Sequence, residues 1–521
     1  MSDRAVATRR PPCGWRTAVL LGALAFVVRW LASGGLAGLR SERVYDDGVY
    51  YAAAASLLHG VVPYRDVLLL HPPGIVLALS PFALLGSWAG DAVGYESARI
   101  AFMLVGALNT VLVTRLARRW GARAGVVGGV LYAFCAVAAI SEGTTLLEPL
   151  GALSLLGGVL LLVRSAEAGA APWVARRVAP LGAVVLGLGL VVKIWDVVPV
   201  LVVLAWQGWR HGWRRGLRLA LVAGGTAALV VLPFALAAPG PMFRYVVLDQ
   251  LDRARWSLTA TDRLAAILGV ETIPGTVMTG GDRILLAALL GVTLAAALAA
   301  WRARRGRVWV VLAVVQLAVL LESPSYLDHY GMYAAPALVL VLAAGSSTLP
   351  VRRGLRWTSA VAAAACALVV VTTAPDLTPD VLPFPAAAVR AQLPPTGCTT
   401  ADSPGGLALA DTLTPDLERG CRVPVDPTGF TYDRGPRLPD GTRVPRLDNP
   451  VWQEYGIEYL TSGSAALLLR PVGDGFDPAT CAALTAGTRV VVVGDVHVLR
   501  TGEAPAPGPS TDACLPAPRR R

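Results

Sequence analysis

The stretch Ala179–Trp206 reads APLGAVVLGLGLVVKIWDVVPVLVVLAW, and whether it crosses a membrane once or twice decides the topology of the chain. It is long for one span, and Lys193, Trp195, Asp196 and Pro199 interrupt its middle. Ionisable side chains at bilayer depth are costly, so two short helices forming a hairpin suit it better than one span. The other apolar runs of near-spanning length are Thr17–Leu39, Ser97–Leu116, Ala124–Ile140, Leu146–Val163, Leu217–Leu236, Ile284–Trp301, Val308–Leu321, Tyr333–Ala344 and Trp357–Val371. With the hairpin the expectation is an α-helical polytopic membrane protein of about 11 transmembrane helices.

Arginine positions test that count. Clusters stand at Arg4, Arg9, Arg10 and Arg16, at Arg115, Arg118, Arg119 and Arg123, and at Arg164, Arg176 and Arg177. Others stand at Arg210, Arg214, Arg215 and Arg218, at Arg302, Arg304, Arg305 and Arg307, and at Arg352, Arg353 and Arg356. With the hairpin, every cluster falls on the cytoplasmic side, as the positive-inside rule requires. With a single span over Ala179–Trp206 the agreement is lost. The N-terminus is then cytoplasmic, and the exported segments are Arg40–Glu96, Ser141–Thr145, Ala237–Arg283, Glu322–Tyr330 and everything after about Thr372. The first run also has the basic flank of a signal peptide, but it is long for one, and the later topology is the same either way.

Composition agrees. The 521 residues are 55% hydrophobic and 16% charged, against about 25% charged in soluble domains. The chain is neither an ordinary soluble enzyme nor disordered. The net charge of +11 resides in the cytoplasmic clusters and does not indicate nucleic acid. Lys193 is the only lysine among 46 basic residues.

The region after Thr372 is polar and rich in Pro and Gly. Cys398–Ala401 and Arg489–Val493 read as strands, and Leu407–Leu413 and Pro478–Leu484 as short helices, giving a small exported α/β domain. It holds Cys398, Cys421, Cys481 and Cys514. Four cysteines in an oxidising compartment predict two disulfides. Proximity would pair Cys398 with Cys421 and Cys481 with Cys514, but sequence leaves the connectivity open.

The first exported loop holds Tyr45-Asp46-Asp47-Gly48, then His59-Gly60, Pro63-Tyr64-Arg65-Asp66 and His71-Pro72-Pro73-Gly74. Asp47 suits a helix N-cap and Gly60 its C-terminal stop, with the helix lying along the membrane surface. One carboxylate suffices for a cap, so the acidic pair asks for a second role. The segment Ile75–Leu85 is too short to span and packs beside the bundle or re-enters it. In the next outward turn Glu148 precedes Pro149 at a span end, where a carboxylate also suits the helix dipole, and Glu142 reads as solvated. Lys193 and Asp196 are either an i, i+3 ion pair or a cation for a phosphate with its neighbour. His329 and Tyr330 lie in the outward turn Glu322–Tyr330, as weaker candidates.

These features together resemble the GT-C membrane glycosyltransferases of the protein O-mannosyltransferase and aminoarabinose-transferase type. The resemblance covers roughly Thr17 to Val371 and rests on Asp46-Asp47, Pro63-Tyr64-Arg65-Asp66, His71-Pro72-Pro73, Glu148-Pro149 and Lys193. The family often has Asp-Glu for Asp46-Asp47 and Asp for Glu148; the carboxylates are kept. The arginine clusters and the change of composition divide the chain into residues 1–16 as cytoplasmic N-terminus, 17–374 as the transmembrane domain that carries the resemblance, 375–505 as the exported domain and 506–521 as a disordered tail. The resemblance implies an inverting transferase of the cell envelope that moves a sugar from a polyprenyl-phosphate carrier to a glycan, lipid or protein acceptor. Asp46 is then the general base, Asp47 its alternative or the cap, Lys193 the phosphate cation, and Glu148 an orienting group. Arg65, Asp66, His71, Asp196, His329 and Tyr330 are further donor or acceptor contacts. No cofactor follows from the residues, and a divalent cation is neither required nor excluded. A lipid transporter or flippase would also use Lys193 and Asp196, but no inverted repeat is visible and the acids gather on one face. A partner-binding scaffold would not need Asp46, Glu148 and Lys193 together.

Overall fold

The computed structural model describes residues 14–167, 172–253, 257–270, 277–349 and 381–502, apart from 434, 440, 442 and 470–474. The helices used below begin with α1 (Gly14–Ala32), α2 (Tyr45–Leu58), α3 (Gly74–Ala89), α4 (Asp91–Ala117), α5 (Ala122–Ala133), α6 (Ala136–Glu142), α7 (Glu148–Ser165), α8 (Pro172–Leu190), α9 (Val197–His211) and α10 (Trp213–Ala237). They are followed by α11 (Gly280–Arg302), α12 (Arg307–Glu322) and α13 (Ala335–Ser346). The expected hairpin is present as α8 and α9, separated by a break that carries Lys193, Ile194, Trp195 and Asp196.

Among the described residues five helices are long and apolar enough to cross a membrane, and six if α5 and α6, bent by 59°, count as one span. The remaining apolar elements are shorter, among them α3 and α13. Helix length alone therefore does not yield eleven spans, and the run Trp357–Val371 lies outside the described residues. Segment Ile75–Leu85 lies in α3, which contains Pro81 and packs between α2 and α4.

Helix association in a bilayer relies on close backbone approach at small residues. The contact between α7 and α8 shows this: a Cβ on Gly158 would stand 2.6 Å from Leu186, and one on Gly182 would stand 3.1 Å from the Gly158 carbonyl.

Residues 381–502 build a four-stranded sheet of order β1-β2-β4-β3, from β1 (Thr399–Ala401), β2 (Ala465–Leu468), β3 (Thr488–Val493) and β4 (Val496–Thr501). β1 and β2 are parallel, with Thr399 opposite Ala465; β4 runs antiparallel to both of its neighbours. The hairpin β3–β4 turns at Gly494-Asp495, where Gly494 has φ +60° and suits a tight turn. The expected helix over Leu407–Leu413 is shifted, forming Pro404–Leu409 and Leu413–Glu418 with Asp411 at φ +55° between them. Cys398 and Cys421 are joined, with Cα atoms 5.7 Å apart. Cys481 is also disulfide-bonded, and Cys514 lies outside the described residues.

This domain shares an apolar core with the first loop. Val49, Tyr50, Leu69, Ile75 and Tyr95 pack in one cluster with Leu407, Leu409, Val425, Leu467 and Val498. Helix α2 is consequently buried over Asp47–Ser56 between α3 and the domain, and is not the surface-lying helix that its sequence suggested.

Candidate active site

Helix α2 begins after Val44, whose extended backbone starts it without any side-chain cap. Asp47 is therefore not the N-cap. It sits within the first turn, fully buried, and its Oδ2 accepts from Arg99 Nε at 2.8 Å. Its Oδ1 accepts the Thr145 N–H at 3.2 Å and the Thr145 hydroxyl. Arg99, on α4, also donates to the Leu39 and Ser41 carbonyls at 2.6 and 2.9 Å. Asp47 thus fastens the first loop to a span and to the next outward turn. The C-terminal end matches expectation, with His59 as cap and Gly60 at φ +82° after it.

Asp46 differs from its neighbour. It is half-buried, and no hydrogen bond or ion pair among the described residues engages it. Its charge acts on Tyr50, His329 and Asp426.

Glu148 begins α7, and Lys193 stands in the break between α8 and α9; their buried side chains form an ion pair. The alternative pairing of Lys193 with Asp196 is not formed: Asp196 leans on Gly151, where an added Cβ would lie 2.5 Å from its Oδ2. The backbone break turns Lys193 toward α7, which a helical i, i+3 argument could not foresee. The Lys193 ammonium lies 4.2 Å from the ring centres of both Trp195 and Tyr330, a distance for cation–π attraction. Arg253 donates to the Tyr330 hydroxyl at 3.1 Å. His329 Nε2 is 4.0 Å from Glu148 Oε1, and its Nδ1 is 3.2 Å from Asp328. Burial opposes charge on this imidazole, but the Glu148 and Asp328 carboxylates outweigh it and hold its pKa above the ordinary value. Glu148 Oε2 is buried without a hydrogen-bond partner. A cavity of about 350 Å³ adjoins this group, lined by Trp195, Gln250, Arg253 and Ser323 among others.

His71 packs edge-on to Tyr50, with ring centres 5.7 Å apart. Burial, then Arg253 and Lys193, push its pKa well below the ordinary value. Tyr64 holds this turn: its backbone takes φ +71°, and its hydroxyl donates to the His71 carbonyl at 2.7 Å. A non-glycine residue in that region is strained. Arg65 and Asp66 pair with one another at 2.7 Å on the surface and take no part in the cluster.

Glu142 corrects the sequence reading outright. It is not solvated; it is fully buried, 2.7 Å from Arg29, and accepts from Asn109 at 2.8 Å and Tyr132 at 2.9 Å. The signal was Arg29 inside the first apolar run, since a charge at that depth requires a partner. The sequence does not mark Arg99 or Asp426, nor single out Arg253 within the loop Ala237–Arg283 that could cover a site from outside, and only the packing gives them significance. Among the described residues one group has metal-ligand spacing, Cys398, Asp416 and Cys421, but its two cysteines are spent on the disulfide.

No family model and no curated protein sequence matches the chain. Solved structures do. The crystal structure of ArnT from Cupriavidus metallidurans bound to undecaprenyl phosphate aligns at TM-score 0.60 and 15% identity, over 96% of this chain and 100% of that one. The archaeal oligosaccharyltransferase AglB from Archaeoglobus fulgidus, in complex with an inhibitory peptide and a dolichol-phosphate, aligns at TM-score 0.55 and 12% identity, over 87% of this chain and 69% of that one. Both are GT-C glycosyltransferases. The alignment takes in residues well beyond the membrane helices, and the chain is therefore a multi-pass membrane protein with the GT-C fold.

Proposed function

We propose that the protein is a glycosyltransferase that moves a sugar from a polyprenyl-phosphate carrier to an acceptor hydroxyl on the exported face of the membrane. The observation that carries this reading is Asp46: of the acidic pair, Asp47 is consumed by Arg99 and Thr145, while Asp46 keeps an uncommitted carboxylate beside a cationic, aromatic-walled group. The orientation rests on the arginine clusters. The solved neighbours bound to undecaprenyl phosphate and dolichol-phosphate lend support to the carrier class.

The chemistry follows from these positions. Asp46 takes the proton of the acceptor hydroxyl as its oxygen attacks the anomeric carbon. The bond from that carbon to the phosphate oxygen breaks, and its electron pair leaves on the phosphate. Lys193, with His329 beside it, stabilises the charge that gathers there. Lys193 exchanges Glu148 for the phosphate to do so, and the freed carboxylate faces the sugar. A single displacement inverts the anomeric centre. Carrier polyprenyl lies in the cavity beside Trp195 and Arg253.

The test is sugar transfer by purified protein in lipid nanodiscs, with a polyprenyl-phosphate-linked sugar as donor. Asp46→Asn is expected to lower turnover by about 10²–10⁴-fold while binding of polyprenyl phosphate survives. Wild-type turnover by a well-folded Asp46→Asn protein would overturn the assignment.

A further inference from the structure

The residue before Asp46 is tied to the C-terminal domain. The Tyr45 hydroxyl donates to Asp426 Oδ1 at 3.0 Å and accepts the Thr428 N–H at 3.0 Å. The same Asp426 oxygen accepts from the Thr428 hydroxyl at 3.1 Å and from the Gly429 N–H at 2.8 Å. The loop 426–429 is thus organised around one carboxylate oxygen, and Tyr45 is held by it in two directions. Two further contacts lie on the same side of the helix start. Glu42 pairs with the Ser403 hydroxyl. Gly48 meets Gly405 so closely that a Cβ would lie 2.3 Å from the Gly405 nitrogen.

Successive helical residues are rotated by about 100°. Tyr45 and Gly48 therefore face the C-terminal domain, Asp47 faces Arg99 and Thr145 in the membrane part, and Asp46 projects between the two. Among the described residues its side chain has no bond of its own to set its direction. Its aim is decided by the rotation of the first turn of α2, which the two flanking fastenings fix.

We propose that Asp426 is a positioning residue for Asp46, acting through Tyr45, so that the C-terminal domain governs sugar transfer without taking part in carrier binding. The inference rests on the reading of Asp46 as general base. An error of about an ångström in a reacting group costs up to about 100-fold in rate, so the fastening has a kinetic signature.

The experiment compares Tyr45→Phe, Asp426→Ala and Asp426→Asn in the full chain in nanodiscs, for kcat of transfer, for binding of fluorescent polyprenyl phosphate and for melting temperature. Tyr45→Phe and Asp426→Ala are expected to lower kcat by about 10- to 100-fold with carrier binding unchanged. Asp426→Asn keeps the oxygen that Tyr45, Thr428 and Gly429 use, and is expected to retain most of the turnover. Wild-type kcat in Tyr45→Phe overturns the proposal, and Tyr45→Phe keeps the test open if Asp426→Ala does not fold. Equal loss in Asp426→Asn and Asp426→Ala also overturns it, because the charge, and not the fastening, would then be what matters. A parallel fall in melting temperature and carrier binding overturns it in favour of a purely structural contact. Asp46→Asn run alongside separates the two readings: if it transfers normally, the general-base assignment falls first.

Discussion

Lys193 is the residue at which sequence and packing pull hardest on one another. Its solitary presence in an apolar hairpin marks it for a phosphate, yet its ammonium is already neutralised by Glu148. Both observations hold if carboxylate and phosphate compete for one cation. Removing Glu148's charge then favours the phosphate, and removing Lys193's charge disfavours it. Glu148→Gln is expected to bind polyprenyl phosphate more tightly than wild type. Lys193→Gln is expected to bind it about 10- to 100-fold more weakly, the usual worth of a charged hydrogen bond. Equilibrium binding of a fluorescent polyprenyl phosphate measures both. Equal affinities in all three proteins would remove Lys193 from the donor site.

Helix α1 shows how one element is anchored. Arg29 lies in its apolar run with no exposure, and Glu142, Ala133 and Tyr132 take its donors. Breaking a buried pair leaves a buried charge alone, at a cost of roughly 3–5 kcal/mol. Arg29→Met is expected to lower the melting temperature sharply, and the double change with Glu142→Gln to recover much of it, because neither charge then remains. Thermal unfolding in detergent reads this directly.

The segment that leads into α2 carries a second device. Burial raises the Glu42 carboxyl to about 7, against partial relief from Ser403 and Arg99. The folded protein thus holds a proton that the unfolded chain releases near pH 4.5. Where the folded state binds more protons, stability falls as pH rises. A decline is therefore expected between about pH 4.5 and about pH 7, and Glu42→Gln is expected to flatten it. Melting temperatures across that window, for both proteins, provide the check.

At the scale of the whole molecule, the arginine clusters predict a sidedness. Cysteines placed at the exposed Glu418 and at Arg215 are expected to label from opposite sides of sealed vesicles, with residue 418 outside. Labelling from one side would remove the exported active site. The domain is joined to the membrane part through a shared apolar core and through polar contacts such as Asp91 to the Thr414 N–H at 2.8 Å and Arg244 to Asp433 at 2.8 Å.

Several of these features were legible in the linear sequence. The membrane class follows from run length and sparse charge, because the bilayer imposes its thickness on any spanning helix. The broken hairpin followed from Lys193, Trp195 and Asp196 interrupting an apolar run, since charge at depth has a cost that local sequence displays. Lys193 stood out for the same reason, Asp46 because one carboxylate suffices for a cap, and Glu148 as an acid before a proline at a span end. Which acid is free and which is bound was not legible. Asp46 and Asp47 are adjacent and chemically identical, and they differ because Arg99, 52 positions away from Asp47, and Thr145, 98 away, reach one and not the other. Glu148 found Lys193 across 45 positions, and Glu142 found Arg29 across 113. Periodicity reports which face of a helix is apolar; it carries no information on what lies opposite that face. Partner choice depends on tertiary packing, because a buried charge accepts whichever counter-charge the fold brings within a few ångströms, and sequence distance does not enter that energy.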